Sequence, residues 1–195
     1  MKATIGARII MVAKLSEGGN YSDGKIIGKL MTVSQSAEIA EATLYADDHL
    51  VDSISEFKKG SMTIGTAGIS DEDHAMLLGH KYTKTEGMIL NANDNPPFVG
   101  VGYYTKAKDV NVSPAETVFV AKWYPKVKFK EPNDDAATKG ESVDYKTPTI
   151  EGTVFALENG DWKKQKVFSD DKKALAWLEA RANISDNSDN GEVVT

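Results

Sequence analysis

Residues 70–80, Ser-Asp-Glu-Asp-His-Ala-Met-Leu-Leu-Gly-His, constrain the fold most, because they read as one short helix in a chain that otherwise reads as strands. Ser70 is placed to accept a hydrogen bond from the Asp73 backbone N–H, and Asp73 can reach back, the reciprocal capping pattern. Asp71, Glu72 and Asp73 add carboxylates at the positive end of the helix dipole. Gly79 ends the helix, since glycine takes the left-handed conformation beyond a helix terminus without steric cost. Ala75, Met76, Leu77 and Leu78 form an apolar face. A helix this short does not hold alone, so the chain must offer a sheet to pack it on.

The same stretch carries histidines among acids, as metal sites often do. His74 and His80 are six positions apart with Gly79 between them, and His49 lies farther off in Ala46-Asp47-Asp48-His49. Zinc ligands sharing a helix face need i, i+4 spacing. Helix capping explains the acids better, and no metal site and no cofactor is expected.

The strand signals are many. Residues 9–15 form a short apolar run, and residues 17–24, with Gly18, Gly19 and Gly24, form a loop. Residues 25–33 resume as strand. Residues 36–45 and 51–66 alternate around an acidic turn and read as a long hairpin. In the second strand Ile54, Met62 and Ile64 are expected on one face, opposite Ser55, Lys59, Ser61 and Thr63. Phe57 breaks that alternation and predicts a bulge at residues 58–60. A brief strand at 88–91 leads to the Pro96-Pro97 loop, and residues 98–106 alternate Gly100 and Gly102 with Val99, Val101 and Tyr103, which suggests close backbone approach.

Residues 117–130 give the clearest strand. Phe119, Ala121, Trp123, Val127 and Phe129 are expected on one face and Lys122, Lys126, Lys128 and Lys130 on the other. Pro125 demotes the strand to an edge or marks a bulge. A lysine row on an edge strand guards against unwanted pairing, or meets a neighbouring subunit. Residues 147–157 and 162–168 read as a hairpin about Asn159-Gly160. Asp170-Asp171 caps a last helix over 172–182, with Ala174, Leu175, Trp177 and Leu178 as its buried stripe. The fold class is therefore mainly β (α+β): a two-sheet β-sandwich with a flanking short helix and a C-terminal helix. Residues 1–182 make a single domain, and the polar residues 183–195 a disordered tail.

Composition narrows function by exclusion. There are 29 acids against 23 bases, a net charge of −6, whereas nucleic-acid grip rests on basic excess. No cysteine is present, so thiolate chemistry and disulfides are out, and no apolar run reaches the length of a membrane helix. The N-terminal residues do not read as a secretory signal, because Arg8 interrupts their apolar run. No nucleophile elbow, phosphate loop, dinucleotide fingerprint or His-Glu-x-x-His occurs. Paired aspartates at 47–48, 134–135 and 170–171 fall in turns and caps, where aspartate serves local hydrogen bonding. No catalytic residue is nominated. The residues alone lead to a soluble, mainly β binding or assembly module.

Several blocks in fixed order carry a resemblance. They are Leu44-Tyr45-Ala46-Asp47-Asp48, Leu77-Leu78-Gly79-His80, Asn95-Pro96-Pro97-Phe98-Val99-Gly100-Val101-Gly102-Tyr103, Phe129-Lys130-Glu131-Pro132, and the run from Thr138 through Tyr145, Pro148 and Glu151 to Thr153. Over residues 5–162 the chain resembles the major tail protein (tail tube protein) of long-tailed phages, the siphoviruses, of Gram-positive bacteria. The last helix and tail lie outside the shared part.

The resemblance implies a non-enzymatic virion subunit, made in the bacterial host cytoplasm. Such subunits assemble into stacked, hexameric rings that form a hollow tail tube for genome passage. Its partners would be copies of itself and the tape measure, tail terminator and distal tail proteins, with DNA passing unbound and no membrane involved. On that reading Glu38, Ser55, Ser61 and Thr63 are expected to face the lumen. Glu17, Asp23, Asp47 and Asp48 are expected at ring-to-ring contacts, and Lys122, Lys126 and Lys128 at the subunit edge. A rival reading is a carbohydrate- or receptor-binding sandwich, which would expose the aromatics Tyr103, Tyr104, Trp123 and Tyr124. A hydrolase built on Asp47, Asp48 and His49 ranks last.

Overall fold

The computed structural model describes residues 2–46, 49–133 and 148–184. The elements run β1 (Lys2–Leu15), β2 (Tyr21–Ile26), β3 (Leu30–Ala46), β4 (His49–Thr66), α1 (Asp71–Leu78), β5 (Lys81–Thr83), β6 (Gly87–Ile89), β7 (Val99–Asp109), β8 (Glu116–Lys130), β9 (Thr149–Val154), β10 (Lys164–Phe168) and α2 (Asp171–Ala182). The chain is mainly β with two helices, as expected. Seven strands follow one antiparallel path, β2-β1-β7-β8-β9-β4-β3, with β10 added on β8 and β5–β6 as a separate small sheet.

The layers of the sandwich are two halves of that one sheet. Ile10, Val12, Val101 and Tyr103 from β1 and β7 share a buried cluster with Met62, Ile64, Ile150 and Val154 from β4 and β9. Leu77 and Leu78 bring α1 into the same cluster. Its caps are those the sequence dictates: Ser70 accepts from the Asp73 N–H at 3.2 Å, and Gly79 ends the helix at φ 77°. The Asp73 carboxylate, expected to reach back to Ser70, is drawn instead to the Lys25 ammonium.

β8 joins the two halves, and Pro125 is where it changes role. Residues Phe119 to Trp123 pair with β10, and Val127 to Lys130 pair with β9. β7 lines the other side, with its register shifted between Val99 and Val101. Proline has no N–H to give the ladder, so the bulge reading holds and the edge reading does not. The bulge also turns the strand over. Ala121 and Trp123 pack under α2, whereas Tyr124, Val127 and Phe129 enter the main core. The expected single apolar face from Phe119 to Phe129 is thus corrected, and so is the single lysine face. Lys122 lies over Tyr103, while Lys126 and Lys128 lie over Phe98.

The expected hairpin about Asn159-Gly160 is also corrected. The turn itself forms, with the Asp161 N–H donating to Asn159 Oδ1 at 3.0 Å and Gly160 at φ 85°. Its flanking strands do not pair with each other, because β9 and β10 each take half of β8.

A second core lies between α2 and the opposite side of β1-β7-β8. Asp170 caps α2 by accepting the Lys172 N–H at 2.9 Å, and Ala174, Leu178 and Ala182 bury against Met11, Ala13, Tyr104 and Trp123. Gly100 and Gly102 lie where any Cβ would collide with the Trp123 indole, the close approach their alternation suggests. Asn183 follows at φ 54° and donates from Nδ2 to the Tyr21 carbonyl at 3.1 Å, which ties this first residue of the expected tail to β2. Residues 185–195 of the expected tail lie outside the described residues. No helix among the described residues is long and apolar enough to cross a membrane.

Candidate assembly surface

β3 and β4 pair along their whole length, from Leu30 opposite Thr66 to Ala46 opposite His49. β9 supports β4 only from Gly60 to Gly65. Beyond Gly60 the two strands therefore form a ribbon that leaves the sheet and runs on for about 30 Å at the usual rise per residue. Residues 41–43 and 52–56 are exposed on both faces. A two-stranded ribbon is marginal in water without a surface to cover it.

The faces of this arm are set by a bulge at its base, and a second register shift follows between Leu44 and Tyr45 near its tip. Glu38 pairs with Lys59 and Ile39 pairs with Phe57, so Lys58 is the extra residue. The bulge was expected here; its effect on the faces was not. Beyond it the alternation inverts, placing Phe57, Ser55 and Ser53 on the side of Met62 and Ile64, and Ile54 on the side of Ser61 and Thr63. Of the four residues expected to face a lumen, Glu38, Ser61 and Thr63 share one face and Ser55 lies on the other. That shared face is polar near its base: Ser36 and Ser61 hydroxyls lie 2.7 Å apart, and Glu38 pairs with Lys59 at 3.6 Å.

Both faces also carry exposed apolar side chains. Ile39 is 52% and Ile54 53% exposed, and they point to opposite sides. Ile54 pairs with Ala42, next to Ala40 on the same face. Where the arm meets the body, Phe57 stacks on Trp162 with ring centres 4.5 Å apart and planes 4° from parallel.

The remaining nominated residues scatter. Glu17 lies in the turn between β1 and β2, at the rim of a groove of about 550 Å3 that Leu15, Phe98, Lys126, Leu157 and Glu158 also line. Asp23 is not in a loop; it lies on β2 at φ 53°, 3.1 Å from Lys14. Asp47 and Asp48 lie outside the described residues, and with them the hydrolase reading that needs both. Tyr103, Tyr104, Trp123 and Tyr124 are 4% exposed or less, so the aromatic patch of the recognition-module reading is internal.

The acid–histidine cluster resolves into a clamp. Gly79 turns the chain so that His80, its side chain only 8% exposed, places Nδ1 2.7 Å from Asp94 Oδ2 and Nε2 2.9 Å from Glu131 Oε2. Asp94 also accepts the Asn91 N–H at 2.8 Å. Burial disfavours the imidazolium, but hydrogen bonds and charge from the two carboxylates outweigh it and raise the His80 pKa. His80 in turn, with the Asn91 N–H, holds Asp94 below its ordinary value. The clamp ties the end of α1 to the loop before β7 and to the residue after β8. Among the described residues no three His, Asp or Glu side chains gather to hold a metal.

Ile54 was missed as an exposed side chain because local alternation set it on the face of Met62 and Ile64. The His80 clamp was missed because its partners lie 14 and 51 residues away. Comparison with known protein families finds no model that matches this chain, and comparison with curated proteins finds no match either.

Proposed function

We propose that this chain is a structural subunit that assembles with copies of itself into stacked rings forming a hollow tube, as the resemblance to tail tube proteins suggests. The observation that carries the reading is the β3–β4 arm, a long ribbon with apolar side chains exposed on both faces. Left alone such a ribbon is a liability, since an open edge and an apolar face invite pairing. Assembly turns the liability into the interface. The two ends of the sheet support this division of labour. β2 is flanked by α2 and tied to Asn183, whereas β3 ends the sheet with no strand beyond it among the described residues.

Head-to-tail contacts generate closed rings when the rotation per subunit closes. The net charge of −6 and the polar face of Glu38, Ser61 and Thr63 suit a conduit that does not retain DNA. In this reading the partners are further copies and the tail proteins that start, measure and end the tube, and the place of the protein is the virion.

Negative-stain electron microscopy of the purified protein, at rising concentration in low and moderate salt, tests this. Rings or hollow tubes of uniform width are expected. Monomers at every concentration in both salts would overturn it.

A further inference from the structure

Two lysines converge on one pair of stacked tyrosines beside the root of the arm. Tyr103 and Tyr124 lie with ring centres 6.1 Å apart and planes 14° from parallel. The Lys122 ammonium lies 5.4 Å from the centre of the Tyr103 ring. The Lys163 ammonium lies 5.8 Å from that of Tyr124 and 6.0 Å from that of Trp162. From β3, Gln35 Oε1 accepts the Tyr124 hydroxyl at 3.4 Å. The other half of that amide, Nε2, is buried and finds no acceptor among the described residues.

This cluster has surplus donors and surplus positive charge. Burial pushes both lysines below their ordinary pKa, and the charge of Lys163 pushes Lys122 further. No carboxylate among the described residues offsets either one. Like charges brought together in a half-buried place oppose folding, and an orphaned amide adds to the cost. Aromatic faces soften the ammonium groups but accept no hydrogen bond from the amide.

We propose that Lys122, Lys163 and the Gln35 amide form a binding site for an oxyanion, a carboxylate or phosphate group, walled by Tyr103, Tyr124 and Trp162. One oxyanion supplies the missing acceptor for Gln35 Nε2 and a charge for both lysines, with charge-assisted bonds at each. Two sources carry that chemistry. One is a free small anion. The other, which rests on the assembly reading, is an acidic side chain of a second copy, and Glu41 and Glu56 stand exposed on the arm.

The test is a lysine side-chain NMR titration of the full chain with sodium acetate and, separately, inorganic phosphate, at fixed ionic strength. Dilute monomer is used, so the result does not depend on assembly. A free-anion site predicts saturable shifts at Lys122 and Lys163 but not at Lys126 or Lys128, weakened roughly tenfold or more in Lys163→Gln and in Gln35→Leu. Lys163→Arg, which keeps the charge, should retain binding. A site for a neighbour's carboxylate predicts that the same two lysines move with protein concentration, without added anion, and stop moving in Glu41→Gln/Glu56→Gln. Circular dichroism establishes that each variant folds, and Lys163, on the loop before β10, carries the test if Lys122→Gln does not. Shifts shared by all surface lysines, or none with either anion or with concentration, would overturn the proposal.

Discussion

The β7–β8 pair and the β3–β4 pair are both long antiparallel ladders, yet they are held in opposite ways. β7 and β8 are buried on both sides, one by α2 and the other by the opposite half of the sheet. Every residue from Val99 to Thr105 is buried. The outer half of β3–β4 has a ladder of the same kind, yet its residues 41–43 and 52–56 are exposed on both faces. Backbone hydrogen bonding is similar in the two, so it is not what distinguishes them. Net hydrogen-bond gains are modest, and burial of apolar surface supplies most of the stability. The first pair is a core; the second, on the proposed reading, is the interface between copies.

The contrast is sharpest at Trp123. Trp123→Ala removes a side chain 1% exposed, wedged between Gly100, Gly102 and Leu178. It should cost about 3–5 kcal/mol in urea or thermal unfolding. A loss under about 1 kcal/mol would mean that the α2 side is not a packed core.

At the joint between the two regions, Phe57→Ala breaks the stack on Trp162. A loss of about 1–2 kcal/mol is expected, between the core and surface values, together with faster amide exchange in the arm but not in β7–β8. Uniform acceleration in both regions would show that the arm is not a separate unit.

The His80 clamp belongs to the body, and its effect depends on pH. The folded pKa of His80 is raised, so its stabilisation is fully present below the ordinary histidine value and is lost as pH rises through the folded one. Asp94 works the other way: its folded pKa is lowered, so its share is present above the ordinary carboxylate value and fades in acid. Wild type should therefore lose stability from about pH 6.5 upward relative to His80→Gln, whose profile is flatter there. Parallel profiles for the two proteins across that range would remove the clamp from the account.

Least visible in the monomer is Ile54→Ser. A change within about 0.5 kcal/mol is expected, as for any exposed site, while the concentration needed for assembly rises several-fold. Unaltered assembly would clear Ile54 of any contact.

How much of this was legible in the sequence follows the range of the interactions involved. The α1 caps at Ser70 and Gly79 and the Asp170 cap of α2 were readable, because each is decided within a few residues. The bulges at Lys58 and Pro125 were readable too, from a misplaced Phe57 and from a proline in a strand. Their consequences were not carried through. A bulge inverts every face beyond it, so Ser55 and Ile54 exchanged sides, and Val127 and Phe129 left the face of Trp123. Partner choice was beyond reach. β10 pairs with β8 rather than with β9 because β8 is long enough to offer two half-edges, a fact of tertiary arrangement that the Asn159-Gly160 turn does not encode. The lysines at 122 and 163 come together for the same reason.

The most direct test of the central claim, that the β3–β4 arm is an interface and not a finished part of the monomer, is residue-resolved hydrogen exchange at rising protein concentration. In dilute protein the amides of residues 38–58 should exchange far faster than those of β7 and β8. As particles form, the arm should become protected in step with them while β7 and β8 hardly change. Arm amides as slow as the core in dilute monomer, or still fast in assembled particles, would contradict the account.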